Sequence, residues 1–490
     1  MNTVNTFVNT INQTAQSSLS ARTANGMRAR ATTSDACLDL FSSVGAMRGK
    51  DIIPAFSQAL AQNEDLALRI AQWARDIRGG AGERKLFRDM LLYVEKVAPD
   101  LLVNSKLLDN VPNIGRFDDL LIFTVPAVKY KAIGIIAQAL DARNGLAAKW
   151  MPRKGPIAAE LTMLFDLSPR EYRKLIVGLT QVVETQMCNR EWNAINFSHV
   201  PSVAMSKYMT AFHRNVPEAF EAYKAALARN DGTAKVNASA VYPYTIINML
   251  GGAKDLSYHS YYGNASWRYE DNEVATAMWE ALPDYMNDQN VIAVVDNSGS
   301  MGVKVHGSNT TCADVAASLG MYVASNSKGA FSNLSISFND QAKFIRHDPN
   351  SLAKSLQAVC SAAWGSTNLH SVFDLILGHA LRFNVPAQDM PKIVLIMSDM
   401  QFNPCYSFDD SAQRMITRKY EDAGYEPPVI VYWNLADYGN KPVKFNEQGV
   451  ALVSGFSPAI MKSILALDLD SITPQALMLK AVNIERYDWQ

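Results

Sequence analysis

The sequence predicts a two-part protein, an all-α module of stacked helical pairs followed by a doubly wound α/β domain. Three observations carry this. A chain of 490 residues exceeds what one hydrophobic core ordinarily fills, so two or more domains are expected. Residues 35–285 read as one amphipathic helix after another, and beyond residue 288 short β-rich runs alternate with helical stretches.

Residues 1–34 contain no acidic side chain but carry Arg22, Arg28 and Arg30 among Asn, Thr and Ser, a composition that predicts a flexible, weakly basic arm. In the next segment Leu66, Ile70, Trp73 and Ile77 form one stripe at helical spacing, with Gly79-Gly80 as the stop and Arg75 directed away from the stripe. The following helix places Leu86, Met90, Leu91 and Val94 on one face, with Arg84 and Arg88 on the other. Further amphipathic stretches cover 129–142, 157–165, 169–186, 202–212 and 216–229. Short Gly, Pro or Asn punctuation between them points to an α-solenoid, although no strict sequence period is present.

From residue 288 the pattern changes. The runs VIAVVD (291–296), LSISF (334–338), KIVLIMSD (392–399) and VIVYWNL (429–435) alternate with helical stretches 311–326, 369–382 and 409–423. Continuous apolar strands between helices predict a mostly parallel sheet covered on both faces, with ligands at the carboxyl ends of the strands. The strand that starts at Val291 delivers Asp296, Ser298 and Ser300 to that edge, and Gly299 lets the backbone curl around a centre. Thr367 stands in a loop before a helix, and Asp399 closes another apolar strand. Carboxylates and hydroxyls make an all-oxygen donor set, which favours a hard divalent cation, Mg2+ first, with Ca2+ or Mn2+ as the alternatives.

Composition narrows the function classes. With 48% hydrophobic and 19% charged residues the chain is ordinary globular protein. No apolar run reaches membrane-spanning length and no secretory leader is seen, so a cytoplasmic protein without membrane contact is expected. Five scattered cysteines, Cys37, Cys188, Cys312, Cys360 and Cys405, argue against a disulfide framework or a Cys-rich zinc site. The net charge of −1 conceals an asymmetry: residues 1–250 hold 29 Lys and Arg against 22 Asp and Glu, and residues 251–490 hold 17 against 25. A polyanion partner would therefore be sought on the first half. No P-loop, H-E-x-x-H or G-x-S-x-G is present and the seven histidines lack ligand spacing, so no enzyme activity is expected.

The order Asp296-x-Ser298-x-Ser300, then Thr367, then Asp399 resembles the metal-ion-dependent adhesion site of von Willebrand factor A domains, and residues 288–490 look like such a domain. One departure is Met400, where many of those domains have glycine after the aspartate. Ahead of it, WARDIRGGAGERKLFR (73–88), IGRFDDLL (114–121), AAKWMPRKG (147–155), WNAINFSHVPSVAMSKYMTAFHRN (192–215) and VYPYTII (241–247) resemble the TROVE module of the Ro autoantigen family. They resemble an uncharacterised sister family of the same layout more closely still.

That resemblance implies that residues 35–285 form a HEAT-like ring or horseshoe binding small non-coding or single-stranded RNA, with no DNA expected. It implies RNA contacts among Arg75, Arg78, Arg84, Lys85, Arg88, Arg116, Lys149, Arg153, Lys154, Lys207, His213 and Arg214. Trp73, Trp150 and Phe212 are candidate stacking partners, although large aromatics more often pack in cores. For Arg78 with Glu83, and for Arg116 with Asp118 and Asp119, an internal ion pair is an equal alternative. The rival function is a protein-interaction scaffold without RNA, in which the cation captures a carboxylate from a partner protein.

Overall fold

A computed structural model describes residues 20–180, 182–229, 232–236, 238, 241–253, 269–286, 289–338, 341–362, 365, 367–403, 412–465 and 472–490. Cys405, His259, Ser366 and residues 1–19 of the expected arm lie outside them. The chain forms two compact units, one of Met1–Lys50 with Tyr242–Ala481 and one of Asp51–Val241 with Val482–Gln490.

These divisions differ from the boundaries at 34/35 and 285/288 drawn from the sequence, because both chain ends are held by long-range contacts. Beside the helix Ala36–Val44, Gly45 N–H donates to Ser454 Oγ at 3.0 Å, and that hydroxyl donates to Phe41 O at 3.1 Å. The last residues join the helical unit: Tyr487 Oη donates to Asp76 Oδ2 at 3.0 Å, Gln72 Nε2 to Tyr487 O at 2.8 Å and Lys106 N–H to Trp489 O at 2.8 Å.

In the helical unit the periodic stripes are the buried ones, except that Ile77 lies beyond the end of its helix and is half-buried. Helix Glu64–Arg75 starts at Asn63, whose side chain caps the Leu66 N–H, and it buries Leu66, Ile70 and Trp73. It ends before Gly80, where a Cβ would stand 1.9 Å from Trp73 O, so only glycine fits the turn. Arg75 is a correction to the sequence reading: instead of facing outward it is 4% exposed. Helix Arg84–Val97 buries Leu86, Met90, Leu91 and Val94 as expected. The stretch 169–186 is not one helix. Helix Pro169–Leu179 ends where the buried Thr180 leaves the helical region (φ −89°, ψ 88°), and a separate turn of helix covers Val183–Cys188. Phe212 is buried against Phe197 and Phe220, with ring centres 5.2 and 5.7 Å away, and Trp73 is also buried, so core packing claims both aromatics.

The other unit begins with an antiparallel hairpin, β1 (Ser20–Arg22) and β2 (Arg28–Arg30). Among the described residues its main sheet has six strands: β3 (Val291–Asp296), β4 (Leu334–Phe338), β5 (Lys343–Arg346), β6 (Ile393–Ser398), β7 (Val429–Asn434) and β8 (Val450–Ser454). Their order is β5-β4-β3-β6-β7-β8, parallel throughout except for β5, which pairs antiparallel at one edge. Every residue of β3, β6, β7 and β8 is buried, as continuous apolar runs require in a sheet covered on both faces. Strands β5 and β8 and the helix Leu352–Cys360 add to the elements read from the sequence.

The hairpin fixes the described part of the arm expected to be flexible. Arg30 and Lys441 exchange backbone hydrogen bonds of 2.9 and 2.8 Å, and the β1–β2 turn docks on the loop after β6. There Thr23 Oγ1 donates to Phe402 O at 2.6 Å, Ala24 N–H to Gln401 Oε1 at 2.6 Å and Asn25 Nδ2 to Gln401 O at 2.6 Å. Among the described residues no helix is long and apolar enough to cross a membrane.

Candidate functional site

Strands β3 and β6 are parallel neighbours with Val295 opposite Met397, so Asp296 and the pair Ser398-Asp399 leave the sheet side by side at its carboxyl edge. Asp296 is fully buried; its Oδ1 accepts the Ser298 N–H at 2.8 Å and its Oδ2 accepts the Ser398 hydroxyl. The Ser298 and Ser300 hydroxyls stand 3.0 Å apart beside it. Asp399 is also fully buried, with Oδ1 accepting the Gln401 N–H at 3.1 Å and Oδ2 lacking a hydrogen-bond partner. Thr367, ahead of the helix Leu369–Phe383, donates its hydroxyl to Gln401 O at 2.7 Å. The three loops are thus tied together, with Gln401 linking Thr367, Asp399 and the hairpin turn.

The electrostatics of this edge favour a cation. Burial, then the nearby Asp399, pushes the Asp296 carboxyl up to about 6, against the hydroxyls of Ser398 and Ser298. Burial raises Asp399 as well, although the Ser300 hydroxyl and the Gln401 N–H pull the other way. Two buried carboxylates that resist ionisation, an unpartnered carboxylate oxygen and three hydroxyls fit a hard divalent cation, whose charge would relieve both. No group of three or more His, Cys, Asp or Glu converges among the described residues, so hydroxyls must supply much of any shell. Met400, at the position where many adhesion-site domains have glycine, adopts φ +64° and belongs to the same buried apolar core as Ile396, Phe402 and Tyr432. The backbone here has the conformation that glycine ordinarily supplies, and the side chain is held by apolar burial.

The residues expected to contact RNA separate into two groups. Arg75, Arg84, Arg88 and Arg116 converge on Asp118 and Asp119. The buried Asp119 accepts Arg75 Nε at 2.8 Å, Arg88 Nε at 2.6 Å and Arg84 Nε at 3.2 Å. Asp118 pairs with Arg84, with Arg88 NH2 at 3.3 Å and with Arg116 Nε at 3.2 Å. Burial works to raise the Asp119 pKa, and Arg75 and Arg88 outweigh it, holding that carboxyl below its usual range. Lys85 pairs with Asp89 at 2.5 Å and His213 Nδ1 with Glu221 at 3.1 Å. The ion-pair alternative therefore describes Arg116, and it extends to Arg75, Arg84 and Arg88.

Arg78, Lys149, Arg153, Lys154, Lys207 and Arg214 form the second group. None has a carboxylate within ion-pair distance among the described residues, and all but the half-buried Lys149 are exposed. Sequence reasoning missed Arg170, Arg173 and Lys174, which lie at i, i+3 and i+4 on helix Pro169–Leu179, opposite the buried Tyr172 and Ile176. All three are exposed, and this helix packs on helices Gly145–Trp150 and Pro156–Leu164, which bracket Arg153 and Lys154. Residues 142–180 hold seven Lys and Arg against three Asp and Glu, and of those acids Glu160 is paired with Lys129 and Glu171 caps its helix through Ser168. The i, i+3, i+4 spacing of the cations was the available signal.

A six-stranded, mostly parallel α/β sheet with an oxygen-lined edge, and a separate helical unit with a basic surface, define the class. Residues 23–118 and 133–292 match the family model described as "Domain of unknown function (DUF2828)", and the chain belongs to that family. Residues 290–482 match a second model, "Domain of unknown function (DUF7788)". The chain is 29% identical over 518 residues to "Uncharacterized protein L728" of Acanthamoeba polyphaga mimivirus, a match that covers 93% of this chain and 86% of that protein. Among solved structures it is similar to the Deinococcus radiodurans RO (RSR) protein, at 14% identity and a TM-score of 0.42, over 87% of this chain and 93% of the other.

Proposed function

We propose that the chain is a non-catalytic, cytoplasmic RNA-binding protein of the Ro type. Its helical unit holds small structured or misfolded RNA by the phosphate backbone, and its sheet unit carries a divalent cation, Mg2+ first. The carrying observation is a patch of cations without carboxylate partners among the described residues: the exposed Arg153 and Lys154 in the loop after helix Gly145–Trp150, and the exposed Arg170, Arg173 and Lys174 on the adjoining helix Pro169–Leu179. Unpaired Lys and Arg clustered on one surface are the electrostatic footprint of a polyanion, and arginine forks suit phosphate oxygens. Trp150, half-buried beside this patch and covered by Arg116, brings an aromatic group to the same surface. At the sheet edge Asp296, Ser298, Ser300, Thr367 and Asp399 would hold the cation. When bound, the cation would supply an open coordination position for an oxygen ligand such as a partner's carboxylate.

The test is fluorescence anisotropy with a small RNA hairpin bearing a single-stranded 3′ tail, titrated at several salt concentrations. Binding should weaken steeply with salt. The triple variant Arg170→Gln, Arg173→Gln, Lys174→Gln should flatten the log–log slope by roughly two, at about 0.7 per single-strand phosphate contact. Binding that is absent, or indifferent to salt and to the triple variant, would sink the RNA reading and favour the metal-dependent protein scaffold.

A further inference from the structure

The arginine–aspartate cluster of the helical unit carries more positive charge than its own stability requires. Among the described residues four guanidinium groups, Arg75, Arg84, Arg88 and Arg116, pair with two carboxylates, Asp118 and Asp119, a surplus of two positive charges over those ion pairs. Partly desolvated positive charge that two shared carboxylates do not fully compensate costs stability, and an added anion would relieve it. The surplus also has a direction. Arg75 is sealed in, with its side chain 5% exposed, whereas the side chains of Arg84 and Arg116 are 39% and 29% exposed.

Arg116 shows the deficit most clearly. Its Nε lies 3.2 Å from Asp118 Oδ1 but out of line, so both atoms are buried without a hydrogen bond. Its guanidinium carbon stands 3.8 Å from the centre of the Trp150 ring, and a guanidinium stacked by its face keeps its N–H edge for in-plane oxygens. Burial lowers its pKa; Asp118 opposes this, and the neighbouring Arg84 and Arg75 add to it.

We infer that Arg84, Arg88 and Arg116, seated on Asp118 and Asp119 with Trp150 alongside, form a binding site for one phosphate group. A phosphate matches the surplus charge and offers enough oxygens for several guanidinium edges at once. The site rests on the proposed RNA reading in so far as an RNA backbone would bring the phosphate; a free phosphate compound would bring the same group.

The test uses the full chain and two probes at fixed ionic strength: the tailed RNA hairpin by anisotropy, and sodium pyrophosphate by thermal shift. Arg116→Gln should weaken binding about tenfold or more, the usual loss for a charge-assisted hydrogen bond. Asp118→Asn, which raises the surplus to three charges, should tighten binding several-fold. Circular dichroism and melting of each variant without ligand report folding, and the opposite signs expected for the two variants separate a binding role from a structural one. The opposite-sign pattern with RNA assigns the site to a phosphodiester. The same pattern with pyrophosphate, and no binding of RNA, assigns a free phosphate, and the RNA reading falls while the site stands. If RNA binds and neither variant shifts the affinity for either probe, the RNA reading stands and this site falls. Weakening by both variants overturns the site as well.

Discussion

Replacing Asp296 by Asn should stabilise the metal-free protein while abolishing its response to divalent cations. In the fold this carboxyl is fully buried and raised from 3.8 to about 6. A folded-state pKa above the unfolded value means that the folded protein holds its proton more tightly. Stability from this group is therefore greatest below the unfolded pKa and is lost as pH rises through the folded one. By pH 7 the loss amounts to about 3 kcal/mol, at about 1.4 kcal/mol per unit. The neutral isostere Asn removes that loss and can still accept the Ser298 N–H through Oδ1, but its Nδ2 only donates, so the Ser398 hydroxyl exchanges a charged acceptor for an amide N–H donor. At about 1 kcal/mol for that exchange, the net gain is about 2 kcal/mol. Urea unfolding with EDTA at pH 7 should show it, and adding MgCl2 or MnCl2 should stabilise the wild type only. A variant less stable than wild type in EDTA would show the carboxylate to be a structural acceptor, and the cation reading of the sheet edge would lose its electrostatic basis.

Asp119→Asn should destabilise the helical unit by about 3–5 kcal/mol, since it leaves the buried Arg75 without its carboxylate; denaturant unfolding would measure this. His347, 5% exposed and hydrogen-bonded to Ser335 at 2.8 Å, is held down to about 4 by burial. The unfolded state then binds the extra proton below its ordinary 6.5, so stability should fall by about 3 kcal/mol between pH 6.5 and 4, and His347→Gln should flatten that segment of a stability–pH profile. Met400→Gly relieves a left-handed residue worth about 1 kcal/mol but empties a core position worth about 2–5 kcal/mol. The variant should therefore be less stable in a thermal melt, despite restoring the glycine of the adhesion-site pattern.

The fold was legible where burial is continuous along the chain. Strands β3, β4, β6 and β7 are apolar runs, and the helices Glu64–Arg75 and Arg84–Val97 carry their buried stripes at helical spacing. What escaped has little local signal. The edge strand β5 is KFIR, four residues with a single buried position, and it exists because β4 offers an open edge. The hairpin at 20–30 consists of SAR and RAR, and its order comes from Gln401, Phe402 and Lys441, nearly four hundred residues away.

The two candidate sites differ in legibility for one physical reason. At the sheet edge each donor is placed by its own strand or loop, and parallel neighbours deliver their ends to one line, so the identity and order of Asp296, Thr367 and Asp399 already imply proximity. On the helical unit a cation's role depends on whether a carboxylate reaches it, and that is decided by residues far along the chain. Arg75 and Asp119 are 44 positions apart, and Arg84 and Arg88 find Asp118 and Asp119 more than thirty residues on, beyond the helices Pro99–Asn104 and Leu107–Ile114, a separation that no spacing rule connects. Charge type is written in the sequence, whereas charge balance is a property of packing. Hence the arginines most conspicuous in the motif are partly neutralised, while Arg170, Arg173 and Lys174, in an ordinary amphipathic helix, keep their charge for solvent or a ligand. If the helical unit binds phosphates, loss of the three plain helix cations should therefore remove more of the salt dependence than loss of any single arginine of the conspicuous cluster.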